Sequence, residues 1–213
     1  MDPGQLIAFL VPARCPLCRE PVDPGAPVCG DCMRALNRSL VLRLDPPEDV
    51  DRIASCADHD SVARSLLHAF KFRQMTGLAP LIAGFMADAT GPAEERMILV
   101  PVPPSRLRTW LRGFDPVGLL ALEISRQTGI SLPASPVLCR LGHNRQLGRD
   151  RAGRLAAPPA IRPSAGATGW LGGREVILVD DVMTTGTTLT AAAGALRLAG
   201  AERIAALTFT RRL

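Results

Sequence analysis

Apolar positions along the chain follow two rhythms that take turns. From Ser61 the spacing is helical, with Val62, Leu66 and Phe70 on one stripe and Ser61 as the cap. A second helical stretch runs from about Leu78 to Ala89, carrying Leu78, Leu81, Ile82 and Phe85. Then comes an unbroken apolar run, Met97-Ile98-Leu99-Val100-Pro101-Val102-Pro103, which reads as a buried strand ending in proline. Asp115-Pro116 sets a cap before a proline at the first helical position, predicting a helix over Pro116–Thr128 closed by Gly129. Val137–Arg140 reads as a short strand, Leu141–Arg154 as an irregular arginine-rich stretch, and Glu175–Val179 as a strongly apolar strand. A helix over Thr187–Ala199 ends at Gly200, and Arg203–Thr210 is the last strand. Strands alternating with helices imply an α/β domain: a mostly parallel sheet flanked by helices.

With 213 residues the chain suits one full domain plus an appendage. The expected division is an N-terminal module over 1–45, a linker over 46–60 and the α/β domain over 61–213. Asp45-Pro46-Pro47-Glu48-Asp49 suggests the linker, because two prolines and flanking acids do not continue a helix. An apolar fraction of 47% excludes wholesale disorder. No stretch approaches the run of about 18 apolar residues that a membrane helix needs. Gln5–Val11 is too short, and lacks the basic flank, for a secretory signal. The expectation is a cytoplasmic protein with no membrane insertion.

The net charge of +5 is unevenly placed. Residues 1–60 hold six arginines against ten acids, whereas 97–155 hold nine against three. Such concentration suits a pocket for a polyanion or a local nucleic-acid groove. For any single arginine, a solvated surface position is the competing explanation.

Cys15, Cys18, Cys29 and Cys32 form C-x2-C-x10-C-x2-C. Two residues between thiolates let both sulfurs of a knuckle approach one ion, and two knuckles complete the tetrahedral sulfur set of structural zinc. Disulfides are the alternative, disfavoured in a chain without an export signal. Cys56 and Cys139 read as small buried apolar residues.

The segment richest in chemistry is Val176-Ile177-Leu178-Val179-Asp180-Asp181-Val182-Met183-Thr184-Thr185-Gly186-Thr187-Thr188. In an open parallel sheet, ligands bind beyond the carboxyl ends of the strands, and this strand ends in two aspartates. Neighbours in a strand point to opposite faces, so for Asp180 and Asp181 to act together the strand is expected to end there. The threonine-rich turn then opens a helix whose free amides, hydroxyls and dipole favour a phosphate. Gly186 is expected to let the backbone approach that phosphate closely. Two carboxylates beside a phosphate cradle fit a ligand offering hydroxyls, or magnesium between acids and ligand. A sugar phosphate meets both conditions. No G-x-x-x-x-G-K-[ST], no G-x-G-x-x-G after a strand, no G-x-S-x-G and no H-E-x-x-H occurs.

These residues resemble the phosphoribosyl-diphosphate (PRPP) signature of type I phosphoribosyltransferases. Together with the cysteine knuckles and Val100-Pro101-Val102-Pro103 … Arg112-Gly113-Phe114, the chain resembles the ComF family, a double zinc ribbon followed by a phosphoribosyltransferase-like domain. The resemblance implies that Asp180 and Asp181 grip ribose hydroxyls. Thr184, Thr185, Gly186, Thr187 and Thr188 would cradle the 5′-phosphate. The loop after the 97–102 strand would face pyrophosphate, under a basic hood around Arg140–Arg154. Candidates for that side are Lys71, Arg106, Arg108, Arg112, Arg145 and Arg149, with Gln146 also in the hood. The family usually reads Arg-Gly-Phe-Asn-Gln where this chain has Arg112-Gly113-Phe114-Asp115-Pro116, so an acid replaces an amide. Zinc and magnesium are the implied metals, and a role in DNA uptake during natural transformation is the implied function. Two alternatives stand beside it: an active phosphoribosyltransferase on a base or amine acceptor, and a non-enzymatic module handling single-stranded DNA or DNA-uptake proteins. No side chain presents itself as a general base.

Overall fold

The apolar run Val176–Val179 lies inside a five-stranded sheet, as a strand buried on both faces must. The computed structural model describes residues 13–37, 42–59, 61–141 and 159–212. Its elements are α1 (Gly30–Asn37), β1 (Leu42–Leu44), β2 (Arg52–Asp58), α2 (Ser61–Phe72), α3 (Ala79–Thr90), β3 (Met97–Pro101) and α4 (Arg106–Arg112). They continue with α5 (Pro116–Thr128), β4 (Leu138–Arg140), β5 (Ile161–Pro163), α6 (Thr168–Leu171), β6 (Glu175–Met183), α7 (Thr187–Leu198) and β7 (Arg203–Arg211).

The sheet runs β1-β2-β7-β6-β3, parallel except for the β1–β2 pair; β4 and β5 form a separate antiparallel pair. The strand pleat sorts the core into two layers. Leu99, Ile177, Val179, Leu207 and Phe209 pack with α2, α3 and α5, and this cluster takes in Cys15, Cys29, Cys32 and Leu36 of the N-terminal region. Ile98, Val100, Val176, Leu178, Ile204 and Ala206 pack on the other face with α7, Leu138 and Leu171.

Local chemistry sets most boundaries. Asp115 Oδ1 accepts from the amides of Val117 and Gly118 at 3.0 and 3.1 Å, fixing the start of α5, and Gly129 in the left-handed region ends it. Leu78 closes a short 3-10 turn before α3 instead of opening the helix.

Two differences from the sequence reading matter. The stretch 46–60, expected as a linker, contains β2, which pairs in parallel with β7 from Arg52↔Ala205 to Asp58↔Arg211. Its residues, Arg-Ile-Ala-Ser-Cys-Ala-Asp, are too small and polar to announce a strand, yet Ser55 is fully buried and takes a hydrogen bond from Thr208 Oγ1 at 3.1 Å. The second difference is β6, which does not stop at Val179. It pairs with β7 through Asp180↔Thr208, Val182↔Thr210 and Met183↔Arg211. No helix among the described residues is long and apolar enough to cross a membrane.

Candidate functional site

Because β6 continues, the pleat sends its two acids apart. Asp181 faces the α2 side, where its Oδ2 lies 2.5 Å from Lys71 Nζ, with both side chains only 12% exposed. Asp180 is half-buried, and its Oδ1 accepts a hydrogen bond from the Asp181 amide at 2.8 Å. The sequence reading makes their joint action depend on the strand ending at this point, and β6 instead runs on to Met183. Both stand near the carboxyl end of the strand, coupled through charge and one backbone amide.

The electrostatics are those of crowded carboxylates. Burial, and then the charge of Asp181, push the Asp180 carboxyl up to about 7, against the pull of the Asp181 amide, Lys71 and Arg140. Asp115 is also raised, chiefly by burial, with its two amide bonds opposing and Asp181 adding repulsion. Burial lowers the Arg140 guanidinium, as does Arg108 nearby, while Asp180 raises it. Arg140 also donates to the Pro103 carbonyl at 3.4 Å, tying β4 to the loop after β3.

Beyond β6, Thr184 and Thr185 are exposed and Gly186 is buried in the left-handed region, φ +74°. The first intrahelical bond of α7 runs from the Thr190 amide to the Gly186 carbonyl at 2.9 Å. The amides of Thr187, Thr188 and Leu189 thus stand at an open helix end, with a hydrogen bond of 2.7 Å between Thr185 Oγ1 and Thr187 Oγ1 beside them. The need for glycine has a further cause that the sequence hid. A Cβ on Gly186 would come within 3.0 Å of Pro47 Cβ, so Pro47, expected in a linker, packs on the loop.

Of the cations expected on the pyrophosphate side, Lys71 is committed to Asp181. Arg112 lies over the Phe72 ring, 4.8 Å from its centroid. Arg108 is exposed on α4, close enough to Arg140 to affect its charge. Arg106 lies in the first turn of α4, its side chain outside the description. Arg145, Gln146 and Arg149 lie outside the described residues. Arg140 and Asp115 are neighbours of the acid pair that the spacing of the motif could not place. The resemblance points to both, Arg140 at the start of the expected hood and Asp115 as the acid replacing the family's amide, without placing them beside the acid pair.

The ligand atoms of Cys15, Cys18, Cys29 and Cys32 lie within 4.8 Å of one another, so the four can hold a metal ion such as zinc. Cys18 and Cys29 sulfurs are 3.5 Å apart. Burial raises the Cys15 thiol, but the backbone groups of Cys18, Cys29 and Leu17 outweigh it and bring it down to about 6, whereas burial and then the neighbouring cysteine side chains push the Cys32 thiol up. The first knuckle closes through the Arg19 amide to the Cys15 carbonyl at 2.9 Å, with Arg19 at φ 71°. The second opens α1, and the Met33 amide reaches the Cys29 carbonyl at 2.9 Å.

The phosphoribosyl transferase domain family matches at residues 149–213. The competence protein ComFC of Bacillus subtilis is 30% identical over 190 residues, covering 85% of this chain and 70% of that protein. Competence protein F of Haemophilus influenzae is 28% identical, covering 89% of this chain and 81% of the other. The DNA utilization protein YhgH of Escherichia coli K12 is 26% identical, covering 91% and 95%. Among solved structures, the B. subtilis glutamine PRPP amidotransferase complexed with ADP and GMP is 23% identical with a TM-score of 0.40. That match covers 62% of this chain and about a quarter (26%) of the enzyme.

Proposed function

The chain belongs to the ComF family, and we propose that it binds PRPP, or a closely related sugar phosphate, at the carboxyl end of β6. The observation that carries this reading is the sequence of groups along a single segment: two carboxylates, an exposed threonine loop, and the open amides of α7. Asp180 and Asp181 take the ribose hydroxyls, and Thr184–Thr188 with Gly186 take the 5′-phosphate. Magnesium, when bound with the ligand, supplies positive charge to the diphosphate, and the two aspartates are the residues placed to hold it. Arg140 and Arg108 serve the pyrophosphate side. Zinc is held by Cys15, Cys18, Cys29 and Cys32 and ties the N-terminal module together. The module and the α/β domain are two units on this reading, with β1 and β2 assigned to the second.

Relatives named as competence proteins support a role in DNA uptake. A specific observation favours a second reading, in which the protein also handles single-stranded DNA. Trp110 is 79% exposed on α4, the helix that also carries the exposed Arg108, and exposed aromatics with cations are used by base-stacking surfaces. Transfer of phosphoribose to a base or amine would need the same cradle and an acceptor that remains to be found by screening. The test is calorimetry of the zinc-loaded protein with PRPP and magnesium. Binding supports the reading, and no heat at millimolar ligand overturns it. A screen of bases for pyrophosphate release then separates binding from transfer, and salt-dependent retention of single strands tests the second reading.

A further inference from the structure

Lys71 is the only lysine in a chain with 25 basic residues, and it is spent inside the site. Its position is set from both sides. Phe70 is fully buried and meets the Phe114 ring edge-on at 5.5 Å, while Phe72 lies beneath the Arg112 guanidinium. The last turn of α2 is thereby fixed against the residues leading into α5, and the Lys71 ammonium reaches Asp181 Oδ2. The charge of Asp181 raises both Asp115 and Asp180, in each case after the larger effect of burial.

We propose that Lys71 is a tethered counter-cation, a positioning residue that keeps Asp181 neutralised and aimed, so that the acid pair accepts a sugar by its hydroxyls and refuses a bare divalent cation. Metal then enters with the diphosphate and not before it. This rests on the reading of Asp180 and Asp181 as the ligand-binding pair. A cluster of carboxylates without internal positive charge attracts divalent ions. The ion pair offsets that attraction at Asp181.

The experiment is a Mn2+ titration of the zinc-loaded full chain, followed by electron paramagnetic resonance in the absence of PRPP. Wild-type protein should bind Mn2+ weakly. Lys71→Met should bind it about tenfold more tightly or better, equal to about 1.4 kcal/mol. Lys71→Arg, which restores the charge, should return to weak binding. The double variant Lys71→Met with Asp181→Asn should also lose the gain. Should methionine prevent folding, Lys71→Gln tests the same loss of charge while keeping a hydrogen bond to Asp181. Unchanged or weaker Mn2+ binding in the folded charge-removing variant overturns the proposal. So does a gain that survives Asp181→Asn. Because no PRPP is present, this result stands or falls separately from calorimetry of PRPP on the wild type.

Discussion

Pro47 Cβ lies 3.0 Å from the place a β-carbon on Gly186 would occupy, so a proline before β2 and a glycine before α7 share one space. Two demands meet at Gly186: a left-handed backbone at φ +74° and the proline ring. Gly186→Ala should therefore cost more than the roughly 1–2 kcal/mol of the backbone conformation alone. Pro47→Ala in the same chain should return the crowding part and leave the conformational part. Denaturant unfolding of the four forms gives the coupling energy. Additive effects would mean the crowding is absent.

Replacing each acid separates ligand binding from stability. Asp180→Asn and Asp181→Asn should each weaken PRPP binding with magnesium, and together abolish it, as judged by calorimetry. Only Asp181→Asn should lower the melting temperature markedly, because it leaves the Lys71 ammonium without its partner. Breaking a buried pair in this way costs about 3–5 kcal/mol. Equal melting temperatures for the two variants would contradict the ion pair.

The pH dependence has a definite sign. Burial and the neighbouring Asp181 raise the Asp180 carboxyl from its ordinary value of 3.8 to about 7 in the folded protein. Between these values the native state holds a proton that the unfolded chain has released, so this contribution to stability is full below about 4 and declines as pH rises to about 7. Asp180→Asn cannot make that loss. The stability of this variant relative to wild type should grow across the window and level off above it, followed by thermal unfolding at a series of pH values. A constant difference would remove Asp180 as the cause.

The cysteine cluster makes its own prediction. Replacing Cys15 and Cys18 by serine should release one zinc per chain, measurable by a colorimetric chelator. It should also loosen the contact through which Arg73 donates to the Pro16 carbonyl at 2.8 Å. Since Cys15, Cys29 and Cys32 share a core with Phe70 and Leu66, the loss should reach α2 and appear as faster amide exchange there. A metal-free wild type of unchanged stability would exclude a structural zinc.

Much of this arrangement is written in local sequence. The Asp115–Pro116 cap, Gly129, and the run Val176–Val179 each carry a short-range cause, and each element forms where that cause places it. What local sequence does not contain is partnership at a distance. Nothing in Arg52–Asp58 says that a strand of small residues will be accepted beside β7, because the acceptance comes from Thr208 and the α3 layer. Likewise the motif names Asp180 and Asp181 but not Lys71, Arg140 or Asp115 as their company. Those meetings are made by the packing of α2, β4 and α5 around the end of β6.

The place of β2 has a practical consequence for anyone who shortens this chain. A fragment starting at Ser61 would strip one flank of β7, including residues from Ala205 to Arg211, of its hydrogen-bonding neighbour. That bare flank is mostly buried and apolar in the intact protein, a sticky rim onto which further copies would add strand by strand. The α/β domain is thus not separable at the proline-rich stretch, and insoluble fragments would report the missing neighbour and not a failed fold.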